Sequence, residues 1–305
     1  MDRYEDMRCF VQVAELQSVT RAAEALSLAP SAVSRRLKDL EARLGAQLIS
    51  RTTRRMSLTE AGRVYFQSCQ RILGDIEEAE SAVSGVGGHI SGQLRVAAPL
   101  SFGLSHLTPA LCRFVEAHPE LRVDLDLSDR MVDLVGEGFD LALRIGTLRD
   151  SSLIARKLCD VRMICCASPC FLAEHGTPER PTDLSTLPCL CYSGSERADI
   201  WRWRDEDGAE QSVQVPMRIR ATNGDMMRDA AIAGLGMVLK PSFIVHQALA
   251  VGTLVPVLKT VDWVGVTIYL VYPETRHLAA KTRAFIDHMR SHIGPKPYWE
   301  ADLDV

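Results

Sequence analysis

Ser31, Ser34, Arg35 and Lys38 recur at helical spacing along one side of a short segment, while Val33, Leu37, Leu40 and Leu44 recur along nearly the opposite side. Hydroxyls and cations are the side chains that reach base edges and phosphates, so the first stripe has the chemistry of a nucleic-acid reader. The second stripe demands a core. Ala22, Ala23 and Leu26 give the preceding segment its own apolar set, and residues 20–44 therefore read as two helices meeting at a tight turn. Met7, Phe10, Val11 and Ala14 supply a further helical stripe ahead of the pair, and Thr20 stands where an N-cap belongs.

A charged helix face can equally be a solvated surface, and the distribution of charge separates the two readings. The chain carries 35 Lys and Arg against 39 Asp and Glu, a net charge of −4, which excludes a general polyanion binder. Between Ser31 and Met56 the balance reverses, with Arg35, Arg36, Lys38, Arg43, Arg51, Arg54 and Arg55 set against Asp39 and Glu41. That concentration points to one nucleic-acid-binding module. After Gly45, the strand-like runs QLIS and MSLT bracket Arg51-Thr52-Thr53-Arg54-Arg55, a hairpin with a cationic tip suited to the phosphate backbone or a minor groove.

The string FVQVAELQSVTRAAEALSLAPSAVSRRLKDLEARLGAQLISRTTRRMSLTEAGRVYF resembles the winged helix-turn-helix of LysR-type transcriptional regulators in its order of helices, turn and wing. Farther on, LRVAAPLSFG, VDLVGEGFDLALRIG and AAIAGLGMVL resemble that family's effector domain, so the resemblance covers nearly the whole chain. One departure is local. Where the recognition helix usually opens with Ser/Thr-Gln-Pro, this chain has Ala29-Pro30-Ser31, without the cap hydroxyl or the glutamine. Pro30 suits a first helical turn.

The resemblance implies a DNA-binding domain at 1–58, a linker and dimerisation helix at 59–88 and an effector domain at 89–305. It implies a homodimer or homotetramer on an imperfect palindrome of double-stranded DNA. Thr20, Pro30, Ser31, Ser34, Arg35, Lys38, Arg51, Arg54 and Arg55 are the expected DNA contacts. The two-lobed, periplasmic-binding-protein-like effector domain would place lobe 1 at about 92–160 and 266–294 and lobe 2 at about 161–265. The crossover between lobes comes from the resemblance alone.

Residues 59–88 carry Tyr65, Cys69, Ile72, Ile76, Ala79, Val83 and Val86 in alternating steps of four and three behind a possible Thr59 cap. Polar residues flank this seam, so the helix is expected to pair with another subunit through Ile72, Ile76, Ala79 and Val83. Gly85, Gly87, Gly88, Ser91 and Gly92 then read as a hinge. Beyond it, LRVAA, a helix ending near His118-Pro119, LRVDLDLS, VDLVGEG and DLALRIG predict an α/β domain with a mostly parallel sheet. VRMICCA, VPMRIRA and GMVLK give a second block its strands, VGVTIYLVYP and a helix close the fold, and GPKPYWEADLDV reads as an unpacked tail.

Strand LRVAA runs through Pro99-Leu100-Ser101-Phe102-Gly103 into a helix, and MRIRA runs through Thr222-Asn223-Gly224 into another. Such junctions offer hydroxyls, amides and unpaired backbone N–H groups to a carboxylate, though each residue also suits a helix cap or turn. By resemblance, Ser101, Phe102, Ser128, Arg144, Thr222 and Asn223 are expected around a small organic anion, with Arg144 as its counter-charge.

No Gly-x-Ser-x-Gly, Walker loop, His-Glu-x-x-His or Gly-x-Gly-x-x-Gly is present, so no enzyme, cofactor or metal is expected. Met1-Asp2-Arg3-Tyr4-Glu5-Asp6 is no signal peptide, and Pro241–Leu258, the longest stretch without a formal charge, contains two prolines, His246 and Gln247. A cytoplasmic protein without a membrane segment is expected. Nine cysteines then read as reduced thiols, with Cys165, Cys166, Cys189 and Cys191 as buried filler in strands. Two alternatives stay open, a solute-binding or sensor module without DNA function and a redox sensor using those four thiols.

Overall fold

The computed structural model describes residues 2–51, 56–83, 90–146, 148, 153–193, 197–274, 278–301 and 303. The chain divides into a smaller unit built chiefly from Met1–Gln93 and a larger unit holding most of the remainder.

In the smaller unit, α1 (Arg3–Leu16), α2 (Val19–Ala25) and α3 (Pro30–Leu44) are followed by β1 (Ile49–Arg51), β2 (Met56–Leu58) and α4 (Glu60–Val83). Ser18, not Thr20, caps α2, because Gln17 in the left-handed region turns the chain one residue pair earlier, and the Ser18 hydroxyl accepts from Arg21 N at 3.3 Å. Phe10 is fully buried and packs against Tyr65 (tilted) and Phe66 (edge-to-face) of α4, at 5.5 and 6.3 Å between ring centroids. Val33, Leu37 and Leu40 are buried beside them. Leu44, the last residue of α3, breaks the stripe and is 39% exposed.

Strands β1 and β2 pair antiparallel, as the wing requires. Its tip, including Arg54 and Arg55, lies outside the described residues, as do Gly85, Gly87 and Gly88 of the expected hinge, whereas Gly92 opens the next strand. Two contacts fix the wing's root. The Glu41 carboxylate of α3 accepts from Leu48 N and Ile49 N at 2.8 and 3.1 Å. Thr59 caps α4 by accepting from Gly62 N at 2.9 Å while its hydroxyl donates to Gln47 O at 2.6 Å. Gly62 is required there, since a Cβ would stand 2.0 Å from Leu48 O.

The first part of the α4 seam is spent within its own unit. Cys69 is fully buried and Tyr65 and Leu73 pack on the core, whereas Ile72 is 39% exposed and Ile76 half-buried. Side chains at 51, 67, 75 and 77–83, which include Ala79 and Val83, are not described.

The larger unit begins with β3 (Gly92–Ala98), the one-turn α5 (Leu100–Phe102), a π turn over Gly103–Leu107, α6 (Thr108–Ala117), β4 (Leu121–Leu127) and β5 (Leu141–Ile145). It continues through β6 (Leu153–Val161), β7 (Met163–Ala167), α7 (Pro169–His175), β8 (Cys189–Tyr192), β9 (Ile200–Arg204), β10 (Glu210–Gln214) and β11 (Met217–Ala221). Next come α8 (Gly224–Ile232), β12 (Met237–Pro241), α9 (Ser242–Ala250), β13 (Val255–Pro256), β14 (Asp262–Trp263), β15 (Val266–Pro273) and α10 (Ala280–Ile293).

These strands form two five-stranded sheets, ordered β4-β3-β5-β15-β6 and β11-β8-β12-β7-β13, and a small sheet β10-β9-β14. The expectation of a mostly parallel sheet is corrected. Strands β3 and β5, β8 and β11, and β8 and β12 pair parallel. The strands that carry the chain between sheets enter the other way round, so β15 is antiparallel to β5 and β6, and β7 to β12 and β13. Residues 132–138, expected as a further regular element, are turns whose Val132 and Leu134 still plug a core with Phe139 and Val271.

The expected loose tail is also corrected. Tyr298–Glu300 form a 3₁₀ turn, and Trp299 is 3% exposed, 4.5 Å from the His106 ring and 5.8 Å from Phe102. The Glu300 carboxylate accepts from Arg162 N at 2.9 Å and from the Ser242 hydroxyl at 2.5 Å, pinning the tail across the β6–β7 join. Three aromatic or acidic side chains among polar neighbours are too few for a periodicity argument, and the buried indole decides the matter.

Candidate functional site

On α3 the apolar stripe faces inward and leaves Pro30, Ser31, Arg35 and Lys38 exposed and Ser34 half-buried. Ala29 makes no side-chain cap, and Pro30 takes the first helical position in its place. Two cations of the basic cluster face the protein instead. Arg36 Nη1 lies 3.2 Å from Asp6 Oδ1 and Arg43 Nη2 lies 3.7 Å from Asp6 Oδ2, around a carboxylate that is 1% exposed. The exposed charge of the helix is thereby focused on Arg35 and Lys38, which share a face with Ser31 and Ser34. An exposed helix face with hydroxyls and cations in that order can enter a major groove and donate to base edges and phosphates. Thr20 is exposed on α2.

In the larger unit, Ser101 and Asn223 are brought together, with Asn223 Nδ2 donating to Ser101 Oγ at 3.5 Å. Asn223 also caps α8 by accepting from Met226 N at 3.0 Å. Gly224 packs closely on Ile244, where a Cβ would meet Cδ1 at 2.3 Å. Thr222 is exposed. The Ser128 hydroxyl is buried where β4 ends, without a partner among the described residues, and Asp129 Oδ1 accepts from Leu100 N at 3.1 Å.

Two expected site residues turn elsewhere. Phe102 is fully buried in an aromatic cluster with Phe243 at 5.4 Å, so its ring belongs to the core. Arg144 donates to Val132 O at 2.8 Å and contacts Met131 Sδ, and burial pulls its guanidinium below the usual range. Its partners are Met131 and Val132, on its own side of the unit.

Sequence reasoning missed Lys240 and Tyr192. Lys240 is 3% exposed on β12, its Nζ stands 4.9 Å from the Tyr192 ring centroid, and burial pulls its ammonium down to about 8. Burial first and the Asp129 carboxylate second push the Tyr192 phenol up. A single lysine interrupting the apolar run GMVLKPSF was the signal that could have found it. A separate groove of about 760 Å³ is lined by Arg162 and Arg204, but both are paired, with Glu300 at 3.3 Å and Asp262 at 3.9 Å.

The four strand cysteines are buried and free. Burial raises each thiol, Cys166 to about 12 and Cys191 to about 11, with Cys165 and Cys189 well above the ordinary value. Thiols held neutral are poor nucleophiles, which disfavours a redox sensor. Among the described residues no group of three or more His, Cys, Asp or Glu is placed to hold a metal, and no helix is long and apolar enough to cross a membrane.

The lysR-family bacterial regulatory helix-turn-helix matches residues 4–63, and the LysR substrate binding domain matches residues 87–294. The chain belongs to the LysR family of transcriptional regulators. It is 39% identical over 290 residues to the HTH-type transcriptional regulator PtxR of Pseudomonas aeruginosa, covering 95% of this chain and 92% of that one. It is 35% identical over 289 residues to the regulator DmlR of Escherichia coli K12, covering 94% of each. Among solved structures, CrgA, a LysR-type transcriptional regulator from Neisseria meningitidis, aligns over 96% of this chain and all of that one, with TM-score 0.62 and 34% identity. A LysR-family chain of this organisation is a DNA-binding transcriptional regulator with an effector-binding domain, and its relatives are named as regulators rather than enzymes.

Proposed function

We propose that this LysR-family regulator reads an imperfect palindrome in double-stranded DNA and that a small organic anion in its larger unit changes how it does so. The carrying observation is the exposed set Ser31, Arg35 and Lys38 on a helix whose opposite stripe is buried. Arg35 and Ser34 would supply base contacts, while Lys38 and the wing cations Arg51, Arg54 and Arg55 would neutralise phosphates. The unit boundaries would fall at 1–58, 59–88 and 89–305. Ile72 and Ile76, left open on α4, with Ala79 and Val83 beyond them, would join two copies as a dimer or a dimer of dimers. The anion would sit at the Ser101–Asn223 junction beside Ser128 and the exposed Thr222, with the α8 N-terminus favouring negative charge.

Selection of duplexes from a random pool, followed by anisotropy titration with and without a panel of small acids, tests this. Enrichment of a two-fold-related motif, with affinity moved by an acid, is expected. A pool that stays random would reject the DNA reading, and a motif indifferent to every small molecule would reject the effector reading.

A further inference from the structure

Lys240 has a charge with no acidic partner among the described residues, in a setting that is 3% exposed. An ammonium taken out of water without a counter-charge is costly, and an aromatic face recovers only part of that cost. Its neighbours on the sheet do not supply the missing charge. Cys166 and Cys191, whose charged forms would favour its ammonium, are thiols held neutral by burial, and Tyr192 is a phenol pushed up.

The topology gathers other unsatisfied groups at the same place. Strands β8, β12 and β11 are neighbours running parallel, so Tyr192–Ser193, Lys240 and Asn223 lie at or just past their carboxyl ends, the edge where open α/β sheets bind ligands. Asp129, close enough to bias the Tyr192 phenol, accepts from the backbone N–H beside Ser101, and Ser101 meets Asn223. The hydroxyls of Ser193 and Ser128 are buried with no partner among the described residues. The Lys240–Tyr192 pair and the Asn223–Ser101 pair are thus linked through Asp129, with Ser193 next to Tyr192 in sequence and Ser128 next to Asp129.

We propose that Lys240, not Arg144, receives the effector's charge, and that the effector is a small organic monocarboxylate whose apolar part lies against Tyr192. This rests on the effector reading above. A single ammonium balances a single negative charge, and the Asp129 carboxylate opposes a second one, which sets a phosphate at a disadvantage. The serine hydroxyls complete the hydrogen bonding of the two carboxylate oxygens. Arg144 is already committed to the Val132 carbonyl.

The test uses the full chain, as the native protein and as Lys240→Met and Arg144→Met. The probes are a set of aliphatic and aromatic monocarboxylates, including propionate and benzoate, with their primary amides and inorganic phosphate. Calorimetry should find a carboxylate that binds while its amide and phosphate do not. Lys240→Met should weaken it by about 10- to 100-fold, the loss of one charge-assisted hydrogen bond, and Arg144→Met should leave it within about twofold. Should Lys240→Met fold poorly, reductive ¹³C-methylation of the native chain reads the same point, with Lys240 assigned by its absence from Lys240→Arg. Its methyl signal should titrate higher when the carboxylate is bound. Full carboxylate affinity in Lys240→Met, a lost response in Arg144→Met, an unmoved Lys240 signal, or no binding of any carboxylate overturns the proposal. An amide or phosphate that still shifts operator affinity would leave the effector reading standing while Lys240 lost its role.

Discussion

The two functional regions solve opposite problems. The face of α3, as proposed, would meet a partner supplied from outside; Ser31, Arg35 and Lys38 stand in solvent there, while Arg36 and Arg43 are folded back on the buried Asp6. The junction of the larger unit, as proposed, would enclose its partner, and its polar groups either satisfy one another, as Asn223 and Ser101 do, or have no partner among the described residues, as with Lys240 and the Ser128 hydroxyl. Exposure marks the first kind of site, and unsatisfied burial marks the second.

The sharpest way to separate the regions is to damage one fold and watch the other. Trp299→Ala removes a buried indole from the His106–Phe102–Phe243 cluster and should destabilise the larger unit by about 3–5 kcal/mol. Calorimetric melting should show that loss while the helix-turn-helix transition stays in place. A next, smaller perturbation is Ile76→Glu, which sets a charge on the open side of α4 and should yield monomers by light scattering, with operator affinity lost. Unchanged dimers would remove Ile76 from the interface.

Smaller again, Ser101→Ala should loosen carboxylate binding by roughly 1–2 kcal/mol in calorimetry and leave DNA affinity in its absence unchanged. The pH dependence comes next. His106 is held neutral, its Nε2 donating to Phe243 O at 3.1 Å and its Nδ1 accepting from the Tyr298 hydroxyl at 2.7 Å, and burial pulls it from 6.5 down to about 4. Between those values the unfolded chain holds the proton and the folded chain does not, so stability falls as pH drops from about 6.5 towards 4. His246 and His292, also pulled down by burial, add the same sign. Denaturant melts across this window should show a shallower slope for His106→Gln. The smallest effect belongs to the thiols. A disulfide reagent on the native protein should modify the exposed Cys112 and Cys170 and spare Cys165, Cys166, Cys189 and Cys191, with operator affinity unchanged.

Legibility in the sequence followed the same division. The α3 stripe could be read because one helix repeats its faces every few residues, and the Thr59 cap and the paired wing strands followed from local rules. Thr20 failed as a cap because Gln17 adopts a left-handed turn that no pattern announces. Cys69 and Tyr65 looked like a dimer seam because periodicity reports an apolar face without saying which surface covers it. Lys240 and Tyr192 are far apart along the chain and meet only because β12 lies beside β8, a strand order that local patterning does not encode. The tail was misread for the same reason, since Trp299 finds its neighbours in residues 102, 106 and 243.

The central claim is that the exposed face of α3 reads sequence. Anisotropy titrations of the native chain and of Arg35→Ala, on the selected operator and on a scrambled duplex at one salt concentration, test it most directly. The account predicts a loss of roughly 1–3 kcal/mol on the operator and little change on the scrambled duplex. An equal loss on both would show that Arg35 touches only phosphate and would contradict it.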